Sequence, residues 1–285
     1  VSMATMKAGE ADLWVLAGLK ESLNLEKEGF TVRYCQGSVE GMWPSSRGKN
    51  SIFKDKRIRL AVEYAIDREA ITQAIAYNSP AVLPAYQRPF PGDPGFREGY
   101  GRKYDPKKAK QLLKDAGYRN GFSTKLYVSQ ISARQKTCAT AVQSYLAAVG
   151  IKTTIEFVAP SAYFGKRLRG WQDGYYLAGD PRDAWPPAAL AVHLPNRPEG
   201  AIAWNYSVGV TEPMKEMYKD MMAAPTNEDQ LEVFKKLVHY VDDESTFLYF
   251  TYWPDIAVIA PHVHTTWIRF STKVWEVHQD WMEKQ

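Results

Sequence analysis

Hydrophobic and polar positions alternate most regularly in residues 52–75, IFKDKRIRLAVEYAIDREAITQAI. Ile58, Val62, Ile66, Ala70 and Ala74 recur every four residues, and Ala61, Ala65, Ile71 and Ile75 widen the stripe. Arg57, Arg59, Glu63, Arg68 and Glu69 fall on the other side. The pattern predicts a helix buried on one broad face. Asp67 is placed to cap a second stretch of helix, with Glu69 near its positive end, so a kink is expected at Asp67.

The same reading gives the remaining elements. Residues 1–9 form a helix closed by Gly9, and Leu13 to Leu16 a short strand. Residues 20–29 form a helix closed by Gly29, and FTVRYC at 30–35 alternates as a strand. GMWPSSRGKNS at 41–51 reads as a loop. Residues 79–101, rich in Pro, Gly and aromatics, read as a long ordered surface loop. Asp105-Pro106 starts a helix that ends at Gly117. The strand STKLYV at 123–128, a helix over 132–149 and the strand IKTTIEFV at 151–158 follow with short connections, which favours a parallel pair in an α/β sheet. A short helix capped by Ser161 runs to Arg169, and GYYLAG at 174–179 is a strand leading into the loop DPRDAWPPA. Helices are predicted over 211–224 and, from an Asn227 cap, over 227–243. TFLYFTYW at 246–253 reads as a buried strand.

Composition narrows the function classes. The 285 residues are 45% hydrophobic and 24% charged, as expected of a globular chain with a sizeable core. The net charge of +4 is weak, and KDKRIR at 54–59 is interrupted by Asp55, so no nucleic-acid partner is indicated. No apolar stretch approaches the roughly 20 residues of a membrane span, and VSMATMKAGEADLWV does not read as a signal peptide. Cys35 and Cys138 are too few for a disulfide framework or a metal cluster; they form one bridge or remain buried thiols.

Catalytic signatures such as GxSxG, HExxH or a phosphate-binding loop are absent from the sequence. His262 and His264 lack further nominated ligands, so no metal is expected. Asp173, Asp180 and Asp183 surround a strand end, where they can cap turns, hold a ligand ammonium or serve as a carboxylate pair for hydrolysis. A loop after a strand's carboxyl end is the favoured binding position in α/β sheets. Trp185 and Trp171 offer flat faces nearby, and Arg134, in the first turn of its helix, can meet a carboxylate.

Beyond pattern, the wording of several blocks resembles the family 5 extracellular solute-binding proteins, the dipeptide and oligopeptide receptors of ABC importers. The blocks are Phe53, Asp55, Arg57, Arg59, Ala61 and Tyr64 through Glu69 with Ile71; then Tyr104-Asp105-Pro106, Ala109, Leu112-Leu113, Ala116-Gly117-Tyr118 and Gly121-Phe122; then Arg134, Leu146 and Gly150-Ile151-Lys152. Ala8-Gly9-Glu10-Ala11-Asp12 resembles a further block that in the family lies well inside the chain, so the resemblance implies a C-terminal portion of a longer protein. The implied fold is an α/β lobe of the periplasmic-binding-protein type (class II, cluster C) with remnants of the first lobe. Residues 1–40 are expected to belong to lobe I and lead to the hinge, 41–250 to form lobe II, and 251–285 to return to lobe I.

The resemblance implies a monomeric, non-enzymatic receptor without cofactor, periplasmic or otherwise extracytoplasmic, lipid-anchored in some full-length forms. It would capture a small molecule or peptide and deliver it to a membrane permease. Where peptide-binding relatives place an Asp that grips the peptide ammonium, this chain has Gly179-Asp180-Pro181-Arg182-Asp183; Asp183 is the preferred residue and Asp180 the alternative, with Trp185 alongside. The expected ligand-binding set is therefore Asp183, Asp180, Trp185, Arg134 and Trp171. An oligosaccharide or nickel-complex receptor of the same fold is the alternative, and a hydrolase using Asp180 and Asp183 the second.

Overall fold

The computed structural model describes residues 1–182, 185–187, 190 and 205–265, together with the two-residue strands Ile268–Arg269, Val274–Trp275 and Trp281–Met282. The helices are α1 (Met3–Lys7), α2 (Leu19–Lys27), α3 (Lys56–Ala65), α4 (Arg68–Ala76), α5 (Pro106–Asp115), α6 (Ala133–Ala148), α7 (Pro160–Arg169), α8 (Glu212–Ala223) and α9 (Asn227–Asp243). The strands of the main sheet are β1 (Leu13–Val15), β2 (Thr31–Pro44), β3 (Leu83–Pro84), β4 (Ser123–Ser129), β5 (Lys152–Val158), β6 (Gly174–Pro181) and β7 (Leu248–Ile259). Their order is β1-β7-β2-β6-β4-β5, with β3 beside β7. The expected parallel pair is present as β4–β5, and β6 joins β4 in parallel. Those crossovers put helices on both faces, the arrangement of an α/β sheet.

Two long antiparallel strands, β2 and β7, run through the middle. Their side chains alternate between two cores, as the two-residue period of a pleated strand requires. Met42, Leu248 and Phe250 enter the core beneath α3–α6, while Trp43, Phe247 and Tyr249 enter the core beneath α8 and α9. A third, smaller core joins Met6, Leu19 and Leu25 to Ile256 and Val258 of outer β7, with Ala76 and Val82.

Several boundaries differ from the sequence reading. GMWP at 41–44 continues β2 instead of opening a loop. Gly41 is needed there, because a Cβ would sit 2.3 Å from the Leu248 carbonyl oxygen across the pair. Pro44 closes the strand, where its missing N–H costs least. Residues 248–259 form one strand, which runs six residues beyond the predicted TFLYFTYW stretch. α9 is capped by Thr226, whose hydroxyl accepts from the Asp229 amide at 3.1 Å, and not by Asn227. α7 starts at Pro160 without a side-chain cap, so Ser161 lies inside it.

The kink at Asp67 is present: α3 ends at Ala65, and the Asp67 carboxylate accepts from the Ala70 amide at 3.0 Å to start α4. On the polar side of this pair of helices Arg57 and Glu69 are exposed, but Arg59, Glu63 and Arg68 are not. Arg59, Glu63 and Arg68 are 7%, 3% and 2% exposed. Arg59 donates to the carbonyls of Phe53 (2.8 Å), Glu244 (2.7 Å) and Ser245 (3.1 Å), and Arg68 donates to Tyr249 O (2.6 Å) and Glu63 O (3.1 Å). Glu63 accepts from Ser245 Oγ at 2.6 Å and from Arg102 at 2.8 Å. Ala74, assigned to the apolar stripe, is exposed, because the break rotates the buried face of α4 onto Ile71, Thr72 and Ile75.

Asp242 lies beside this network. Burial pushes its carboxyl up to about 8, against the pull of Arg97 and the Arg88 amide. A folded-state value above the unfolded one favours folding at low pH and loses that contribution as pH rises from the ordinary carboxylate range through about 8. Urea unfolding at pH 5 and pH 8 should therefore show stability falling with pH, and Asp242→Asn should flatten that fall by about 1–3 kcal/mol. An unchanged slope in the variant would exclude Asp242 as its source.

Candidate functional site

The parallel strands β4, β5 and β6 end on one edge, where β2 and β7 cross towards the third core. Ser132 caps α6 there, accepting from the Gln135 amide at 3.2 Å. This start to α6 holds Arg134 and Gln135 over β2. Glu40 of β2 is only 2% exposed, and its carboxylate accepts from Arg134 Nη2 at 2.5 Å and from Gln135 Nε2 at 3.4 Å. The Arg134 guanidinium also lies 4.1 Å from the ring centroid of Trp253 on β7, so three elements meet in one stacked, charge-assisted unit.

Gly179 of β6 makes this possible. It pairs with Glu40, and a Cβ at Gly179 would come within 2.6 Å of Glu40 Oε1. The register of β2 on β7 shifts between Gln36 and Ser38 and again between Glu40 and Gly41, so two irregularities bracket the Glu40 carboxylate. Such irregularities bend a strand and re-aim its side chains.

Arg134 and Trp253 line a cleft of 670 Å³ between α6 and the chain around Leu16–Glu21. Its rim carries three exposed apolar side chains, Leu16 (62%), Tyr77 (55%) and Ile131 (74%). Leu16 and Tyr77 have φ of 54° and 47°, a costly conformation for residues with bulky side chains. Charges of both signs, Lys20 and Arg134 against Glu21 and Asp255, also line it. A cleft with apolar walls and a few fixed polar groups is the usual form of a small-molecule site.

The other expected site residues are not gathered in this cleft. Asp180 sits on β6 beside Val39, fully buried, with Oδ1 accepting from Arg167 Nη2 at 2.5 Å; Arg167 also donates to Asn205 Oδ1 at 2.6 Å. Asp173 and Asp180 stand at opposite ends of β6 and so do not flank one strand end. Trp171 is 3% exposed and packs on Tyr176 at 5.0 Å between centroids. It borders a separate hollow of 610 Å³ at the other end of the sheet. Trp185 donates through Nε1 to Gln230 of α9 at 2.6 Å. Asp183 lies outside the described residues. A hydrolytic pair using Asp180 lacks the solvent access that a nucleophile or general acid needs. Among the described residues no group of three or more His, Cys, Asp and Glu is placed to hold a metal, and His262 pairs with Asp12 at 2.8 Å.

Glu40, Gln135 and Trp253 were not singled out by the sequence. Glu40 follows the stretch read as strand, and Trp253 closes a run that reads as core. The available signal was the start of α6, where Ser132 and Arg134 lie within one turn of a β4 carboxyl end.

Known proteins resemble the chain in both sequence and fold. The model of the bacterial extracellular solute-binding proteins, family 5 (Middle), matches residues 1–196. The glutathione-binding protein GsiB of Escherichia coli is 31% identical over 159 residues, which is 53% of this chain and 29% of that protein. GsiB of Pectobacterium atrosepticum is 30% identical over 155 residues, again 53% of this chain and 29% of the relative. Thus the aligned part spans under a third of these curated relatives. Among solved structures, the periplasmic binding protein DppA of Helicobacter pylori in complex with the peptide STSA superposes with a TM-score of 0.80 at 21% identity, covering 99% of this chain and 54% of that one. NikA of Brucella suis in complex with Fe(III)-EDTA superposes with a TM-score of 0.81 at 16% identity, covering 99% of this chain and 59% of that one. These structures share the fold.

The Glu40–Gly179 packing is open to a double-mutant test. Gly179→Ala should cost about 1–3 kcal/mol in chemical denaturation through overpacking, and should cost markedly less in a Glu40→Ala background. Additive effects would mean that the carboxylate does not depend on the missing side chain.

Proposed function

The chain belongs to the bacterial extracellular solute-binding proteins of family 5, and we propose that it acts as part of the solute-capturing receptor of an ABC importer. It takes a small peptide or similar solute into the cleft beside the crossing strands and delivers it to a membrane permease. The observation that carries this reading is the Arg134–Trp253 cleft, which combines a positioned cation, an aromatic face and apolar rims. Glu40 holds Arg134 in place, so the cation is pre-organised before any ligand arrives. A ligand carboxylate can approach the guanidinium edge, while apolar parts of the solute contact Tyr77, Ile131 and Leu16. No covalent step is required of any of these groups, and the protein works as a binder.

The division into lobes supports the same reading. We place residues 1–40 and 251–285 with a first lobe and residues 41–250 with the second; the third core, built mainly from α1, α2 and the outer parts of β2 and β7 with Ala76 and Val82 joining from the second range, supports that division. β2 and β7 cross between them, and their irregular register supplies bending points for closure around a solute. The site of action is extracytoplasmic, as for its family; no described helix is long and apolar enough to cross a membrane.

Native mass spectrometry of the intact protein from its own host tests the reading, because a captured solute should appear as a discrete added mass. With that solute in hand, calorimetry should show Arg134→Ala weakening binding by about 10–100-fold, the range for a lost charge-assisted contact. Trp253→Leu should weaken it less, through lost stacking. Failure of the intact protein to retain or bind any peptide or other small solute would remove the basis for the receptor reading.

A further inference from the structure

A second concave site lies away from the cleft, and no residue lines both. β2 leaves the sheet at Pro44, and the chain then passes Arg47 and a single 3-10 turn, Ile52–Lys54, before α3 begins. Lys54, Lys56 and Arg59 meet the first turn of α8 there, where Lys215 stands. With Arg47 these five cations line a cavity of 420 Å³.

Its lining contains one carboxylate, Glu244, which is shared by Lys56 at 2.7 Å and Arg59 at 3.5 Å. Lys215 pairs with Glu212 at 2.6 Å, but that pair is solvent-exposed and so weakly held. Even counting Glu212, five positive charges face two negative ones. Arg47 and Lys54 have no carboxylate partner within ion-pair distance among the described residues.

The site is also organised, which a solvated basic face is not. Arg47 donates to the Tyr206 carbonyl at 3.2 Å and stacks 4.3 Å above the Tyr206 ring. Arg59 is fixed by the four carbonyls of Phe53, Lys54, Glu244 and Ser245. Thr211, at the cap of α8, lines the cavity but gives its side chain no cap bond; its hydroxyl meets Tyr240 Oη at 3.2 Å instead.

We propose that this cavity binds a phosphate group, free or as the monoester of a small molecule or lipid headgroup. The charge surplus calls for more than one negative charge on one small group, which a phosphate carries and a simple carboxylate does not. Cations drawn from three separate segments surround a volume about one Debye length across, about 10 Å at 0.1 M salt, so all of them act on the same ion.

Two variants with equal charge loss test the assignment in the full 285-residue chain. Lys54→Ala/Lys215→Ala alters the site, and Lys107→Ala/Lys110→Ala removes two exposed lysines from α5. Inorganic phosphate, titrated at constant ionic strength, should move the backbone amide resonances of residues 209–216 in a saturable way. The apparent Kd should rise about tenfold in the site variant and stay within about twofold in the control, as short-range charge-assisted bonds dominate over net charge. Vesicles decide the source. Sedimentation with phosphatidic acid vesicles but not phosphatidylglycerol vesicles, reversed by phosphate, identifies a lipid phosphomonoester headgroup. Saturable phosphate shifts without vesicle binding identify a free phosphate or small ester. Equal weakening in both variants, or no saturable shift at residues 209–216, would overturn the site.

Discussion

The turn between α9 and β7 is buried, and its backbone carbonyls must find donors away from water. Arg59 supplies them, Arg68 holds the Tyr249 carbonyl at the start of β7, and Glu63 balances their charge while receiving Ser245 and Arg102. An unpaired carbonyl or guanidinium in such a place is costly, and breaking a buried charged network by removing one member typically costs about 3–5 kcal/mol. The three side chains come from α3 and the start of α4, whose apolar face fills the core. One stretch of chain thus sets both the packing beneath the sheet and the point from which β7 enters it. The position of β7 in turn fixes Trp253, and with it one wall of the cleft.

The central strands impose a second constraint. Because β2 and β7 feed alternate side chains into two cores, a one-residue slip would exchange every core residue for one of the other set. Gly41 and Gly179 resolve two close approaches, one to a carbonyl and one to a carboxylate. The cleft is therefore a by-product of strand geometry: Glu40 can lie under Arg134 only where its neighbour on β6 has no side chain.

Much of the architecture was legible from periodicity and caps. The helices at 106–115 and 133–148, the parallel β4–β5 pair and the break at Asp67 follow directly from alternation, Asp and Ser caps, and glycine stops. GMWP was misread because Gly and Pro usually punctuate strands, and close approach across a strand pair is invisible in one segment. Arg59, Glu63 and Arg68 were read as solvent-facing because charge normally signals exposure; their partners lie some 180 residues away along the chain for Arg59 and Arg68 and cannot be paired by local spacing. At the site, Arg134 was accessible from its place at a strand-to-helix junction. Asp180 was not separable by sequence from a ligand-facing carboxylate, since its burial depends on Arg167 arriving from α7.

The pairing of β2 with β7 joins residues 31–42 to residues 248–259. Nearly the whole chain must therefore exist before its two middle strands can zip together. Contacts of such sequence separation are entropically expensive to form and fold slowly. The α3–α4 and β4–α6–β5 units can assemble from local contacts while β2 still lacks its main partner. During synthesis, the side of β2 that faces β7 thus stays open long after β6 can pair with its other side, and completion of the sheet is a late event that waits on β7.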